Sequence, residues 1–323
     1  MPDPPDEFDW IASLRPLTRG DSRALALMDD AAVLPGRPGY DLVISKDAMV
    51  EGVHVLAGES PEVIARRLIR TNLSDLAAKA AEPFGYFLMT AWPPAYGEAE
   101  RQAFARGLAA DGEEFALALL GGDTVSTPGP LTVSATVLGW APAGRTILRS
   151  GARPGDLLVV CGHIGDGWLG LKAALGEIDD PGGALAAHYR LPRPLLSLRQ
   201  ALLDHANAAA DVSDGLLADA GHIADASRCG LAIDLDRLPL SGGAAAWCAG
   251  QDDRAAARLA LATGGDDYAV VCAVDPDGED SFVNAVGSLG LAVAAVGRFR
   301  VSPGLDITVA GTPIGAERLG WRH

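Results

Sequence analysis

A chain of two α+β domains is what this sequence predicts, and three observations carry the prediction. A length of 323 residues exceeds what a single small core organises, so division into two domains is expected. Each half mixes short apolar strand patterns with helical apolar spacing, in an order that is not the strict alternation of a doubly wound sheet. A Gly- and Pro-punctuated connector, RSGARPG at 149–155, separates two apolar runs and sets the expected domains at 1–148 and 149–323.

In chain order, residues 10–17 read as a short helix after a Pro- and Asp-rich start, and 42–44 as a strand that delivers Ser45, Lys46 and Asp47 at its end. Apolar residues at helical spacing make 61–80 a helix or a pair of helices, within which NLSDLAAKA places Asp75 in a small-residue turn that leads into a helix. Strand 86–91, helix 98–114, strand 116–120 ending in Gly121-Gly122-Asp123, and strand 131–139 complete the first half. Beyond the connector come strand 157–161 and helices 168–175, 194–205 and 215–229. Strands 231–235, 268–274, 292–299 and 307–309 and a helix at 280–289 finish the chain.

Composition narrows the function. Hydrophobic residues make up 49% and charged ones 21%, which excludes a largely disordered chain. The 26 basic against 42 acidic residues give a formal charge of −16, so nucleic acid and anionic membranes are disfavoured as partners. A polyphosphate remains an allowed partner if divalent cations mediate the contact. Cys161, Cys229, Cys248 and Cys272 are widely spaced with no CxxC pair, which speaks against a zinc site or a redox dithiol and for buried thiols in a reducing compartment. No apolar run approaches a membrane span and no basic apolar leader is present, so a soluble cytoplasmic protein is expected.

Acidic residues cluster in Gly and Ser contexts: Asp29-Asp30, Ser45-Lys46-Asp47, Asp75, Gly121-Gly122-Asp123, Asp211-Val212-Ser213-Asp214-Gly215 and Gly264-Gly265-Asp266-Asp267. Carboxylate oxygens in several separate turns suit Mg2+, which takes oxygen ligands and bridges carboxylates to phosphates. In the 211–215 stretch, a strand end and a Gly-started helix put alternating oxygens on one side of a turn; the plainer alternative is a helix N-cap at Ser213 or Asp214. GHIGDG at 162–167 lacks the GxGxxG spacing and reads as a structural turn, and no GxxxxGK[ST] run exists, so a nucleotide is held without a P-loop. His54 stands either as a satisfied core residue or as a site residue near Asp47. Arg149 is either a linker charge or a bidentate phosphate ligand.

Taken in order, MDDAAV, SKDAMVEGVH, NLSDLAAKAAEP, GGDT, RSGARPGD, DVSDGL and GGDDY resemble the thiamine-monophosphate kinase family nearly end to end. The resemblance implies the two-domain aminoimidazole ribonucleotide synthetase-like fold, a homodimer through the N-terminal domains, several Mg2+ ions, and ATP as co-substrate. It implies direct transfer of the γ-phosphoryl group to thiamine monophosphate, with no dedicated acid or base. Residue by residue it implies metal contacts at Asp30, Ser45, Lys46, Asp47, Asp75, Asp123, Asp211 and Asp214. ATP contacts fall at Gly122, Asp123, Arg149 and Ser213, and substrate contacts at His54, Asp266 and Trp321. The chain departs from the family wording at Met28, Lys46 and Asp266. An ammonium at Lys46 either turns into the site beside Asp47 or, the pose expected here, turns outward and leaves the backbone carbonyl to a cation. Relatives that share the fold but need a cysteine near either terminus are disfavoured, because the first cysteine is Cys161 and the chain ends Gly320-Trp321-Arg322-His323. A non-catalytic binding protein is the rival of another class.

Overall fold

A computed structural model describes residues 7–321, and in it the chain divides into two compact units. The first runs to Leu76 and resumes over Ala81–Gly144; the second takes Ala77–Ala80 and the chain from Arg145 onward.

In the first unit, α1 (Glu7–Leu14) gives way at Pro16 to a 3-10 turn, so the expected helix at 10–17 is an α-helix that Pro cuts short. β1 (Tyr40–Val50), α2 (Pro61–Ala78), β2 (Glu82–Trp92), α3 (Glu98–Glu114), β3 (Ala118–Ser126) and β4 (Thr132–Pro142) follow. The sheet order is β1-β4-β2-β3; β2 and β3 are parallel, joined by the α3 crossover, and the other pairs are antiparallel. α2 and α3 approach so closely that a Cβ on Gly107 would lie 2.3 Å from the Glu62 carbonyl oxygen. The same helix pair shares a buried ion cluster. Arg70 grips the fully buried Asp111 through Nε and Nη2, both at 2.9 Å, and Arg66 Nε adds a further bond at 2.9 Å.

Three sequence expectations change here. Residues 61–78 form one helix, so Asp75 sits in its last turn rather than in a turn entering a helix. Asn72 permits this because its amide donates to the Leu68 carbonyl at 2.8 Å, following the helix instead of breaking it. Strand β1 continues through Ser45, Lys46 and Asp47, and β3 continues through Gly121, Gly122 and Asp123. Both strands lie at sheet edges, where polar side chains can face solvent without disturbing the ladder.

The second unit contains β5 (Leu157–Cys161), α4 (Asp166–Ala174), α5 (Ala184–Arg190), α6 (Arg199–His205), β6 (Ala206–Asp211), α7 (Leu216–Ser227), β7 (Gly230–Asp234), α8 (Gly242–Ala249) and α9 (Arg254–Thr263). After them come β8 (Val270–Val274), α10 (Glu279–Ser288), β9 (Val293–Arg300), β10 (Leu305–Val309) and β11 (Thr312–Ile314). The sheet order is β11-β10-β7-β9-β5-β8-β6, antiparallel except for β10 with β7. Central strand β5 is apolar throughout because helices cover both faces. Leu158 and Val160 pack with Leu216, Ala220 and Ile223 of α7, whereas Leu157, Val159 and Cys161 pack with Leu202 of α6 and Phe282 of α10. Helices α5, α8 and α9 were not expected; the Ala- and Gly-rich α8 shows little periodicity, whereas α9 has an amphipathic face and an Asp253 N-cap, and they pack around Leu169, Leu185, Cys248 and Leu261. Among the described residues no helix is long and apolar enough to cross a membrane.

Candidate active site

In the first unit, β1 and the end of α2 are tied by two polar contacts. Ser45 Oγ donates to Asp75 Oδ2 at 2.5 Å, and the Asp47 backbone N–H donates to Asn72 Oδ1 at 3.0 Å. Strand alternation sends the intervening Lys46 to the opposite face. Its Nζ donates to Ser134 Oγ at 2.7 Å, and Ser134 in turn donates to the Asp47 carbonyl at 2.8 Å. The Lys46 side chain is exposed and turned away from the Asp47 carboxylate, as the outward pose expects, but its ammonium is held by Ser134. It lines a pocket of about 460 Å3 together with the exposed Asp29, Asp30 and Asp123. Ile11, Leu14, Leu27, Phe87 and Met89 supply an apolar side of the same pocket, and Gly121 and Gly122 part of its polar side. Gly122 has no alternative, since a Cβ there would lie 2.0 Å from the Leu88 carbonyl oxygen.

His54 closes a tight turn after β1. Its backbone N–H donates to the Val50 carbonyl at 2.9 Å, while its Nδ1 accepts from the Val50 N–H at 3.1 Å, so a neutral ring carries its proton on Nε2. Glu51 fastens the turn through the Gly58 N–H at 2.8 Å and the Tyr96 hydroxyl at 2.9 Å. Burial, with the Glu51 carboxylate, pushes the Tyr96 hydroxyl up to about 12.

The second unit gathers residues that are far apart in sequence. Asp211 ends β6 and is buried. Beyond it, the Ser213 carbonyl accepts from the Asp266 N–H and the Val212 carbonyl from the Tyr268 N–H, both at 2.8 Å. The Asp214 carbonyl accepts from the Trp321 N–H at 2.9 Å. Asp211, Ser213, Asp214, Asp266 and the exposed Trp321 thus belong to one hydrogen-bonded assembly of turns. Asp266 sits at a φ of 62° and accepts from the Tyr268 hydroxyl at 2.9 Å. Its neighbour Asp267 plays a different part. Fully buried, it accepts from the Gly165 and Gly167 N–H groups at 2.9 Å and so holds the GHIGDG turn, as a structural turn requires. Burial raises its carboxyl well above the ordinary range, against those two hydrogen bonds.

The N-cap alternative for Ser213 and Asp214 fails, because α7 begins after Gly215 without a side-chain cap. Instead Asp219, one turn inside α7, reaches back and accepts the Ser213 and Asp214 N–H groups at 3.0 and 3.1 Å. Burial, and then the Asp214 charge, push Asp219 up to about 7; the two N–H groups and the Arg149 charge oppose the rise. Arg149 itself is exposed. Asp214, Asp219 and His222 each offer a donor atom within 4.8 Å of the others, a spacing that one divalent ion can bridge. Among the described residues no other such trio of carboxylate or imidazole donors occurs. Asp219 and His222 were missed in the sequence; their spacing of three on a helix opening at an acidic turn is the signal that could have found them.

Comparison with known proteins covers both units. Residues 28–141 match the model of the AIR synthase related protein, N-terminal domain, and residues 153–310 the corresponding C-terminal domain. The chain is 60% identical over 321 residues to the thiamine-monophosphate kinase of Caulobacter vibrioides, covering 99% of this chain and 91% of that protein. The crystal structure of the thiamine-monophosphate kinase from Stenotrophomonas maltophilia K279a superposes with a TM-score of 0.83 at 33% identity, covering 94% of this chain and 96% of the other. A structure described as AaThiL complexed with AMPPCP and TMP superposes with a TM-score of 0.77 at 26% identity, covering 98% and 96%.

Proposed function

The chain belongs to the thiamine-monophosphate kinase family, within the AIR synthase related proteins, and from that premise we infer that it phosphorylates thiamine monophosphate with ATP to give thiamine diphosphate and ADP. The observation in the structure that best supports this reading is the assembly of Asp211, Ser213, Asp214, Asp266 and Trp321, which joins three separated stretches of the family pattern in one place.

The acceptor already carries an anionic phosphate oxygen. That oxygen bonds to the γ-phosphorus of ATP as the bond from the γ-phosphorus to the bridging oxygen breaks, so the protein has to neutralise and align rather than remove a proton from a weak nucleophile. The donor set fits Mg2+, being almost entirely carboxylate and hydroxyl oxygen. In the first unit Asp30, Ser45, Asp47, Asp75 and Asp123 would hold such ions, with the Lys46 carbonyl; in the second, Asp211 and Asp214. Bound there, Mg2+ supplies positive charge against the repulsion between the two phosphate groups. The pocket beside Lys46 suits a nucleotide, with an apolar side for the base and the Gly121 and Gly122 backbone on the polar side. The family pattern supports Arg149 and Ser213 as contacts to nucleotide phosphates. His54, Asp266 and Trp321 serve the acceptor, whose positively charged thiazolium ring is matched by a carboxylate and an exposed indole. A homodimer through the first unit is supported by Leu42 and Ile44, 40% and 57% exposed on edge strand β1. Action in the cytoplasm is supported by four free, buried cysteines.

Purified protein incubated with ATP and Mg2+ should convert thiamine monophosphate, and not free thiamine, to thiamine diphosphate, read by chromatography. Equal turnover of free thiamine, or none of the monophosphate, overturns the reading.

A further inference from the structure

We propose that Lys46 is a direct ligand of the nucleotide's phosphate chain, an exposed ammonium that Ser134 holds at the lining of the pocket beside β1. The inference rests on the kinase reading and on placing the nucleotide in that pocket. Lys46 reaches the pocket because it alternates with Ser45 and Asp47, which leaves its stem on the face away from Asp75. Ser134 then fixes the head: its hydroxyl spends its proton on the Asp47 carbonyl at 2.8 Å, so toward Nζ it can act only as acceptor, at 2.7 Å. An ammonium has more donors than this one contact uses. Among the described residues no carboxylate lies within 4.0 Å of Nζ, although Asp29, Asp30 and Asp123 line the same pocket. The remaining donors are therefore available to an anion. A polyphosphate entering this acidic pocket meets three carboxylates, and among the described residues Lys46 is the one cationic side chain in the lining. Ser134 also removes part of the rotamer entropy that a free lysine loses on gripping a phosphate.

The full chain tests this by calorimetric titration with adenosine, ADP and ATP, the nucleotides with Mg2+, in the wild type, Lys46→Met and Lys46→Arg. Lys46→Met should lose about ten- to a hundredfold in affinity for ADP or ATP, as expected for a charge-assisted hydrogen bond, and keep its affinity for adenosine. Lys46→Arg should recover much of the loss. An equal loss for adenosine would make Lys46 a support of pocket shape, and unchanged ATP affinity would put its ammonium outside the phosphate path; either result overturns the proposal. Should the Met variant unfold, Lys46→Gln takes its place, with thermal unfolding as the control. Wild-type protein that neither binds ATP nor turns over thiamine monophosphate would overturn the kinase reading itself, whereas an active wild type beside a Met variant of unchanged ATP affinity overturns the assignment of Lys46 alone.

Discussion

Asp75 and Asp211 show how a single oxygen can matter more than the contact that displays it. The Ser45 hydroxyl donates to Asp75, and an amide oxygen could accept that bond equally well, so Asp75→Asn leaves the local packing nearly intact. An amide is nevertheless a poorer ligand for a hard cation than a carboxylate. Asp75→Asn and Asp211→Asn should each lower kcat by about a hundredfold or more, by analogy with the loss of one strong electrostatic contact to a transition state, with little change in Tm. Near wild-type rates at limiting Mg2+ in both variants would remove these residues from the site. What local wording made legible at this scale was a set of residues that the fold brings together: Asp211, Ser213, Asp214 and Asp266 stand out because Gly and Ser surround them. Asp219 and His222 were not legible, since an isolated Asp and His on an amphipathic helix resemble solvated residues. Nor was the hold of Ser134 on Lys46, because only the strand register fixes which cross-strand side chains meet.

At the scale of elements, α7 secures its own start. Asp219 belongs to the helix, yet its carboxylate ties down the Ser213 and Asp214 N–H groups ahead of it, with a pKa pushed up to about 7 by burial. The unfolded chain releases this proton near the ordinary carboxylate value of 3.8, the folded chain only near 7. Between the two the folded state holds more protons, so this group's contribution makes stability fall as pH rises through that window, and the cost is complete above it. In chelator, Tm of the wild type should decline from about pH 4 to about pH 7 more steeply than that of Asp219→Asn. A divalent ion on the Asp214, Asp219 and His222 trio favours the ionised carboxylate, so adding Mg2+ should flatten the wild-type decline. Parallel pH profiles for the two proteins would deny Asp219 this role. The elements that sequence reading placed well are those with their own periodicity or strong punctuation: the structure gives helix Glu98–Glu114 and strand Leu157–Cys161 with the bounds expected. Helix α8 escaped because its run GGAAAWCA has no apolar face of its own and is held by tertiary packing, whereas α9 was overlooked despite its Asp253 cap and amphipathic spacing.

For the whole molecule, two α+β units were legible from length, the alternation of patterns and the connector. That Ala77–Ala80 cluster with the second unit was not, since such an assignment depends on long-range packing. The exposed apolar residues of edge strand β1 lead to a further expectation, a homodimer at micromolar concentration. Sedimentation equilibrium reads it directly, and Ile44→Lys should shift the population towards monomer; a wild-type monomer under those conditions contradicts it. The buried Asp111, gripped by Arg66 and Arg70, has a consequence of another kind. Its loss removes the buried carboxylate between two guanidinium groups at the seam of α2 and α3 and leaves them the half-exposed Glu114 as carboxylate partner, far more a defect of folding than of chemistry. In a strain that depends on this gene for growth, alleles at Asp111 should behave as temperature-sensitive and yield to extra gene copies or chaperones, while alleles at Asp75 should be null at every temperature and indifferent to dosage. Inheritance would then sort the architecture of this protein from its chemistry without a single assay of the enzyme.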